Sequence, residues 1–258
     1  MTLNAPRTQL LRELKNYLLL LRNAGYTHIP LKTGLIDRPV LNLKKTEIPL
    51  DMASRAKSPP SSKSQPVKSQ TMSSELKQVQ DELGDCTRCK LCETRKNIVF
   101  GSGNPHADLV FVGEGPGADE DEQGLPFVGR AGRKLTDIIE KGMKLDRQKD
   151  TYICNIVKCR PPGNRDPERD EVDACKPFLI KQLLAIRPKV IVALGKPAAS
   201  TLLGRTVLIT KERGTWHEFE GIPLMLTLHP AYLLRAYTLE NRRAVMDDMN
   251  KVLEALKK

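Results

Sequence analysis

Long hydrophobic segments are missing from this sequence of 258 residues. No run of about 18 apolar residues occurs, so the sequence predicts no membrane-spanning helix. The longest apolar patch near the start, residues 18–21, lies between Lys15 and Arg22, which makes it too short and too charged for a secretion signal. We therefore expect a cytoplasmic protein, whose six cysteines stay reduced and serve metal binding or catalysis rather than disulfides.

Aromatic and acidic residues are both scarce. Aromatic residues make up 4% of the chain, so each one inside a motif is a candidate for a specific role. The 31 acidic residues are outnumbered by 42 lysines and arginines, and residues 1–74 alone hold 12 basic and 4 acidic residues. Most of the net charge of +11 therefore lies in the N-terminal part. A basic protein favours nucleic acid or another anionic partner, although solvated basic tails are common.

The N-terminal part is predicted to differ from the rest of the chain. Residues 8–24 place leucines at helical spacing, and residues 51–74 are rich in Ser, Pro and Lys with few large apolar residues. We therefore expect a basic extension with one helix over residues 1–50, a disordered linker over 51–74 and a compact domain over 75–258. The extension could tether the protein to DNA or recruit a protein partner, or it could be a dispensable solvated tail.

The compact domain alternates between strand and helix patterns. Apolar strand-like runs occur at residues 107–113, 151–157, 189–195 and 222–228. Helical patterns occur at about residues 131–142, 168–186, 196–203 and 239–257. Strands separated by helices predict an α/β fold with a parallel or mainly parallel sheet covered on both faces. Because ligands of such sheets bind beyond the carboxyl ends of the strands, the residues that follow each strand are the candidates for chemistry.

Four of the cysteines have a spacing that suits a metal centre. Cys86 and Cys89 form a C-x2-C pair, while Cys159 lies in a loop and Cys175 on a predicted helix. Four such thiolates can hold zinc or an iron–sulfur cluster, and spacing alone does not choose between them. A structural zinc would favour a non-catalytic nucleic-acid-binding module.

The two remaining cysteines raise a further alternative. Cys92 extends the pair to the C-x2-C-x2-C run of bacterial ferredoxins, which would indicate an electron carrier, but no fourth cysteine followed by proline completes the run. Cys154 lies inside a strand pattern, where a buried free thiol is the simplest interpretation.

A glycine-rich turn, GEGPG at residues 113–117, directly follows the first strand pattern. Gly113, Gly115 and Ala118 fit the loose dinucleotide pattern G-x-G-x-x-A. Residues 119–122 are all acidic, however, and Pro116 lacks the backbone N–H that a phosphate site would use. Four nearby carboxylates would repel a pyrophosphate, so a dinucleotide is disfavoured.

Four motifs occur in order along the chain. They are GEGPG at 113–117 with the acidic run, GLPFVGRAG at 124–132, NIVKCRPPGNR at 155–165 and HPAYLLR at 229–235. Together they closely resemble the iron–sulfur, or family four, uracil-DNA glycosylases of bacteria and archaea. The resemblance covers about residues 80–240 and implies a three-layer α/β/α fold with a central four-stranded, mainly parallel sheet. It also implies a [4Fe–4S] cluster, with these ligands: Cys86, Cys89, Cys159 and Cys175.

The resemblance implies a monofunctional glycosylase that hydrolyses uracil from DNA and leaves an abasic site, as in base excision repair. Glu114 would position or polarise the attacking water. His229 would donate a hydrogen bond to uracil O2 as negative charge grows on the leaving base. Lys158 lies in a motif, but a monofunctional enzyme needs no amine nucleophile, so we expect it to be structural or to face phosphate.

Four residues are expected around the base itself. By the same resemblance, Phe127 would stack on the flipped uracil, and Asn155 would accept from N3–H and donate to O4. Gly113 and Gly115 would let the backbone approach the flat ring. From the residues alone, core packing of Phe127 and a turn-capping role of Asn155 remain open.

Contacts to DNA are expected from two of the motifs. Leu233 or Leu234 would enter the gap left by the flipped nucleotide, with core packing as the alternative. Arg160, Arg165 and Arg235 would contact phosphates. We expect a monomer that acts on uracil in single- or double-stranded DNA and does not bind a membrane.

Overall fold

A six-stranded sheet lies at the centre of residues 73–257, the part of the chain that the computed structural model describes. In chain order the strands are β1 (Ser102–Gly103), β2 (Leu109–Gly113), β3 (Thr151–Asn155), β4 (Val190–Leu194), β5 (Trp216–Phe219) and β6 (Ile222–Thr227). Their order across the sheet is β1-β3-β2-β4-β6-β5. The predicted N-terminal extension and nearly all of the predicted linker lie outside the described residues.

The four central strands are the ones that the sequence predicts. β2, β3, β4 and β6 run parallel to one another, and every residue of β2, β3 and β4 is buried. Strands that are covered on both faces consist of continuous apolar runs, and this makes LVFVG, TYICN and VIVAL recognisable in the sequence. The predicted α/β class and mainly parallel sheet are confirmed.

Two antiparallel edge strands add to the four predicted ones. β1 has two residues, too few for any periodicity, and pairs with β3. β5 joins β6 through a two-residue turn in which Glu220 and Gly221 have φ values of 50° and 81°. Positive φ at both positions is typical of type I′ hairpins. The predicted count of four strands therefore describes the parallel core without its edges.

Helices connect the strands and cover the sheet. Their bounds are α1 (Ser74–Leu83), α2 (Ala118–Gln123), α3 (Arg130–Thr136), α4 (Arg169–Ile186), α5 (Gly195–Leu203), α6 (Ile209–Glu212), α7 (Pro230–Arg235) and α8 (Leu239–Leu256). A π-helical segment, Asp137–Met143, continues α3, and 3₁₀ turns lie at Lys90–Glu93 and Pro162–Asn164. None of the helices described between residues 73 and 257 has the length and hydropathy that a membrane span needs.

Side chains of the parallel strands alternate between the two faces of the sheet. On one face, Phe111, Ile153 and Met225 share a core cluster with residues of α3, its π-helical continuation and α8. On the other face, Tyr152 lies near Gln182 of α4, and α4 packs against α1. Helices therefore lie on both faces, as a three-layer α/β/α fold requires.

Parallel pairing brings the carboxyl ends of the central strands to one edge of the sheet. The register pairs Gly113, the last residue of β2, with Asn155, the last residue of β3. The chain that leaves β4 begins α5 at Gly195, and the chain that leaves β6 reaches His229 just before α7. This edge therefore collects the residues that follow the strands.

Candidate active site

A cavity of about 620 Å³ opens at the carboxyl edge of the sheet. Its walls include five of the residues predicted for catalysis and base recognition, namely Glu114, Gly115, Phe127, Asn155 and His229. All four motifs contribute to this set, and Asn155, the first residue of NIVKCRPPGNR, is also the last residue of β3. Folding therefore brings side chains that are far apart in the sequence into one concave site.

The Asn155 side chain is buried in the cavity wall, with 1% of the residue exposed. Its amide oxygen, Oδ1, has no hydrogen-bond partner among the described residues, so it caps no turn there. Leaving a buried acceptor unpaired costs about 1–3 kcal/mol. Arg147 Nε is also buried without a partner, but Arg147 does not line this cavity. Asn155 therefore offers an acceptor that an N–H group of a ligand can satisfy.

Phe127 is held in a strained backbone conformation. Its φ of 53° lies in the left-handed region, which a bulky residue rarely adopts. Gly132 makes this possible, because a Cβ there would lie 1.9 Å from the Phe127 carbonyl oxygen. The ring belongs to the core cluster and lies 5.8 Å from the His229 ring, centroid to centroid. Phe127 is therefore a core residue and a wall of the cavity at the same time.

The two glycines of the turn make room for other protein groups. A Cβ on Gly113 would lie 2.4 Å from Asn155 Oδ1 and 2.6 Å from the Phe127 ring. A Cβ on Gly115 would lie 2.8 Å from a methyl group of Val157. Gly115 lines the cavity, whereas Gly113 is buried behind Phe127 and Asn155. A side chain at Gly113 would displace the two groups that form the wall.

The acidic run after the turn forms α2 and binds backbone N–H groups instead of facing the cavity as a block of charge. Glu120 Oε1 accepts hydrogen bonds from the N–H groups of Val128 (2.9 Å) and Gly129 (2.8 Å). Its second oxygen accepts from the N–H of Gly117 (3.1 Å). Glu120 therefore ties the loop that carries Phe127 to the glycine turn.

Asp121 has a similar structural role on the other side of α2. It is 2% exposed, and its Oδ1 accepts from the backbone N–H groups of Lys96 (2.9 Å) and Asn97 (3.2 Å). Glu122 is paired with the Lys96 side chain at the surface. Two of the four carboxylates in this run are therefore hydrogen-bonded to backbone N–H groups. The run should repel an anionic ligand less than the sequence alone suggests.

His229 is a neutral imidazole with one defined tautomer. Its Nδ1 accepts a hydrogen bond from the N–H of Ala231 (3.1 Å) and so caps α7. Burial, helped by the positive charge of Arg235, lowers the pKa of His229 to about 4. The proton of the neutral ring must therefore sit on Nε2, which is left as a donor. Gly195, with a φ of 87°, makes room for the ring, because a Cβ there would lie 2.9 Å from the His229 Cβ.

Glu114 is a half-buried carboxyl group on the cavity wall. Burial, the charge of Asp166 and a side-chain hydrogen bond between the two carboxyl groups together raise the pKa of Glu114 to about 7, with burial as the largest cause. Asp166 also lines the cavity. A carboxyl group with a pKa near neutrality can take up and release a proton under ordinary conditions, which is what a general base needs.

The three arginines predicted to contact phosphates have different environments. Arg165 makes two hydrogen bonds, of 2.8 and 2.6 Å, with the buried carboxylate of Glu171. Arg160 donates to Asn164 Oδ1 at 2.8 Å. Arg235 is exposed and lines the cavity. Arg165 therefore has a structural bond that phosphate would have to displace, whereas Arg235 is available.

The two leucines of HPAYLLR also have different environments. Leu233 is 1% exposed and belongs to the core cluster, so core packing explains it. Leu234 is half-buried and lines a second depression outside the cavity. Of the two, Leu234 is therefore the side chain that can reach DNA without unfolding the core.

The four predicted cluster ligands lie in one neighbourhood. Burial raises the pKa of Cys159 to about 12, against the lowering effect of Arg95, and the thiols of Cys175 and Cys89 add to the rise. Burial is also the main cause of the raised pKa of Cys175, to which Cys89 and Cys86 contribute. Within residues 73–257, no three His, Cys, Asp or Glu side chains form a site for a single metal ion.

The surroundings of these sulfur atoms suit an iron–sulfur cluster. The backbone N–H of Lys158 donates to Cys175 Sγ (3.3 Å), and the Arg95 guanidinium donates to Cys159 Sγ (3.6 Å). Hydrogen bonds of this kind to cysteine sulfur are among the contacts that tune such clusters. None of the six cysteines is in a disulfide, and Cys154 is fully buried in β3.

Lys158 is a buried residue and does not face phosphate. It is 1% exposed, and its Nζ donates to the carbonyl oxygen of Asn155 (2.6 Å) and to Gln182 Oε1 (2.5 Å). Gln182 in turn donates to the carbonyl oxygen of Phe100 (2.9 Å). Burial lowers the pKa of Lys158. Of the two roles expected for Lys158, structural or phosphate-facing, the structural one fits, because Lys158 connects the end of β3 to α4.

Several cavity residues have no role predicted from the sequence, among them Asp166, Gly195 and Lys196. Gly195 and Lys196 directly follow β4, so the rule that ligands bind after strands could have identified them. Asp166 lies one residue beyond the NIVKCRPPGNR motif, and no sequence pattern indicates that it reaches Glu114.

Comparisons with known proteins agree with this geometry. The family model described as "Uracil DNA glycosylase superfamily" matches residues 100–256. The chain is 48% identical over 183 residues to a "Type-4 uracil-DNA glycosylase" of Thermotoga maritima, covering 70% of this chain and 94% of the relative. It is 44% identical over 187 residues to a protein of the same name from Saccharolobus solfataricus, covering 69% and 85% of the two chains.

A relative of another type is less similar. A "Type-5 uracil-DNA glycosylase" of Pyrobaculum aerophilum is 31% identical over 147 residues, covering 51% of this chain and 64% of that protein. A "Type-4" protein from the same organism is 39% identical over 170 residues, covering 62% and 85% of the two chains. The chain therefore belongs to the type-4 family of the uracil-DNA glycosylase superfamily.

Proposed function

We propose that this protein is a monofunctional uracil-DNA glycosylase, which hydrolyses the N-glycosidic bond of deoxyuridine in DNA. The observation that carries the proposal is the unpartnered Asn155 Oδ1, in a cavity that also holds Phe127 and a neutral His229. Uracil has a flat ring, an N3–H donor and two carbonyl oxygens, which match these three side chains. The product is an abasic site, an intermediate of base excision repair.

Recognition of the base rests on Asn155. Its Oδ1 accepts from uracil N3–H and its amide N–H donates to O4, while Phe127 stacks on the ring. Cytosine presents an acceptor at N3 and a donor amino group at C4, the reverse of uracil. An Asn155 amide held in one orientation therefore cannot form both hydrogen bonds with cytosine. A mispaired buried polar group costs about 1–3 kcal/mol, which discriminates strongly against the wrong base.

Bond cleavage uses the two other polar side chains of the wall. As the bond between C1′ and N1 breaks, its electron pair moves onto the uracil, and negative charge grows on O2. The Nε2–H of His229 donates to this oxygen. A water oxygen bonds to the electron-deficient C1′, and the released water proton passes to Glu114, whose pKa of about 7 suits a general base.

The reaction needs no amine nucleophile from the protein. Lys158 is bound to Asn155 and Gln182 and does not line the cavity. Among the described residues that line the cavity, Lys196 is the one lysine. We therefore expect no covalent product when borohydride is added to the protein and uracil-containing DNA, and a trapped species would point to Lys196.

Cys86, Cys89, Cys159 and Cys175 would hold a [4Fe–4S] cluster. When bound, the cluster supplies iron–thiolate bonds that join the segment around Cys86 to the loop after β3 and to α4. Cys159 follows Asn155 closely in the chain, so fixing Cys159 also fixes the end of β3 that reads the base. This role is structural, and Cys92 and Cys154 take no part in it.

The wider setting of the enzyme follows from charge and exposure. Arg235, which lines the cavity, and Leu234, which lines the second depression, would contact DNA beside the extruded nucleotide in single- or double-stranded substrates. The enzyme acts as a monomer in the cytoplasm, where its six thiols stay reduced. The basic residues 1–74 add an electrostatic tether to DNA or a site for a protein partner.

The test is a cleavage assay on end-labelled oligonucleotides that contain one uracil, thymine, cytosine or hypoxanthine. Cleavage at uracil that appears only after alkali treatment is the expected result. Asn155→Ala should lower the rate of uracil excision about 10-fold or more, because the base loses its buried partner. The matched control is Asn250→Ala on the exposed face of α8, which should leave the rate unchanged. Binding of uracil-containing DNA without excision by the cluster-loaded protein would contradict the proposal.

A further inference from the structure

A second depression lies beside the cavity, and we call it the Tyr237 groove. It has a volume of about 540 Å³, and its walls are Arg130, Arg133, Lys134, Asp137, Leu234 and Tyr237. The arginines and Lys134 belong to α3, and Leu234 belongs to α7, which packs against α3. Because α7 also carries Arg235 to the cavity, the groove and the cavity share one helix.

The groove has an excess of positive charge that the protein leaves uncompensated. Within residues 73–257, Arg130, Arg133 and Lys134 form no ion pair. The one carboxylate in the walls, Asp137, is paired with Lys141 at 2.6 Å. Arg130 and Arg133 are exposed, Lys134 is half-buried, and none of the three is paired with a carboxylate of residues 73–257. Such a surface attracts anions.

Tyr237 organises two cations at the rim of this groove. The residue is 57% exposed, and its ring centroid lies 4.9 Å from Lys134 Nζ and 5.0 Å from Arg242 Cζ. Cations at these distances over an aromatic ring are attracted to its electron-rich face. Arg242 likewise forms no ion pair within residues 73–257. Tyr237 therefore attracts both cations to the rim of the groove.

We propose that the Tyr237 groove binds the sugar–phosphate backbone of the DNA strand next to the extruded nucleotide. The proposal rests on the proposed function and names the protein surface that follows the strand outside the cavity. The phosphates of a DNA strand would supply a row of negative charges to pair with the four cations, Arg130, Arg133, Lys134 and Arg242. Leu234, between the groove and the cavity, reaches the strand where the nucleotide leaves the stack.

The first test measures how DNA binding depends on salt. The variant Arg130→Gln/Arg133→Gln/Lys134→Gln is compared with the full-length wild-type protein by fluorescence anisotropy on undamaged single-stranded DNA. Loss of three phosphate contacts should reduce the slope of log K against log salt by about 2. On uracil-containing DNA, the loss should fall on KM rather than on kcat, because the cavity keeps its residues.

A matched control removes three lysines from other parts of the surface. Lys77→Gln/Lys176→Gln/Lys189→Gln changes the net charge by the same amount on α1, on α4 and before β4. The control should keep the wild-type slope. An equal loss of slope in the two triple variants, or no loss in the groove variant, would refute the groove as a phosphate site.

A second test asks whether the Tyr237 ring itself positions the cations. Tyr237→Phe keeps the aromatic face and should bind DNA like the wild type, whereas Tyr237→Leu should weaken binding several-fold. Equal affinities for the Phe and Leu variants would overturn this part of the inference. If the wild type excises no uracil but the groove variant still loses salt dependence, the proposed function fails and the groove stands. If the wild type excises uracil and the groove variant keeps the wild-type salt slope, the groove is not a phosphate site and the proposed function is unaffected.

Discussion

Two pairs of carboxyl groups, one pair in α2 and one pair that includes Glu114 of the GEGPG turn, have opposite environments. Glu120 and Asp121, on α2, accept hydrogen bonds from backbone N–H groups. Glu114 and Asp166 line the cavity and are hydrogen-bonded to each other. The first pair is close in sequence, and the second is brought together by the loop after β3. The first pair is hydrogen-bonded to the backbone and so holds loops in place. The second pair has no backbone donors of this kind among the described residues, and Glu114 can exchange a proton near neutral pH.

The difference follows from what each partner does to the charged form. Glu120 and Asp121 accept hydrogen bonds from backbone N–H groups of loops that would otherwise have unsatisfied donors. A second carboxyl group disfavours the charged form, and burial does the same for Glu114. Substitutions in the two pairs should therefore affect different properties, one the folding of the protein and the other its chemistry.

The largest effect is expected for Glu114→Gln. Loss of a general base usually lowers kcat about 10²- to 10⁴-fold, and we expect a loss in this range for uracil excision, measured under single-turnover conditions. Stability should not fall. The pKa of Glu114 in the folded protein, about 7, is above its ordinary value of 4.5, so its ionisation lowers stability as pH rises between these values.

Gln cannot ionise and avoids this penalty. At pH 8 the thermal unfolding midpoint of Glu114→Gln should therefore equal or exceed that of the wild type. A variant that lost activity and also unfolded at a lower temperature at pH 8 would show that Glu114 is a structural carboxylate, and the contrast between the two pairs would disappear.

A smaller effect, on stability, is expected for Glu120→Ala. The change leaves the N–H groups of Gly117, Val128 and Gly129 without their acceptor. We expect a free energy of unfolding about 1–3 kcal/mol lower, measured by urea denaturation, and a higher KM for uracil-containing DNA because the Phe127 loop is released.

Glu122 is the matched control on the same helix. It is paired with Lys96 at the surface, and exposed pairs of this kind contribute about 0–1 kcal/mol. Glu122→Ala should therefore be nearly as stable as the wild type. If Glu120→Ala and Glu122→Ala had the same stability and the same KM, the backbone contacts of Glu120 would not hold the loop.

The fold was predictable because its central strands are buried on both faces. LVFVG, TYICN and VIVAL stand out as apolar runs, and residues at their carboxyl ends, such as Glu114 and Asn155, line the cavity. The edge strands were not predictable in the same way. β1 is too short for a pattern, and β5 alternates exposed and more buried residues over four positions only.

Much of the site depends on contacts that no local pattern encodes. The left-handed φ of Phe127 and the tautomer of His229 follow from Gly132 and from the N–H of Ala231, respectively. Arg165 resembles a phosphate ligand in its motif, but folding pairs it with Glu171. Residue type and spacing identify which residues gather at a site, whereas the direction of each hydrogen bond is decided by tertiary packing.

The smallest effect, and the most specific, is expected for Asp166→Asn. If Glu114 is the general base, kcat/KM should rise with pH through a pKa of about 7. Removing the Asp166 charge should move this rise to lower pH. The new pKa should stay above 4.5, because burial is the larger cause of the shift. The other charged groups that line the cavity are Glu120, Arg165, Lys196 and Arg235, beside the neutral His229.

The control for Asp166 is Asp170→Asn, which removes the same charge from α4 at a residue that does not line the cavity. Its pH profile should coincide with that of the wild type. Because the pKa of His229 is about 4, this histidine stays neutral across the range and cannot produce the shift. An unchanged profile in Asp166→Asn would mean that burial alone sets the proton affinity of Glu114. Asp166 would then belong with the structural carboxylates, and Glu114 would be the single proton acceptor of the site.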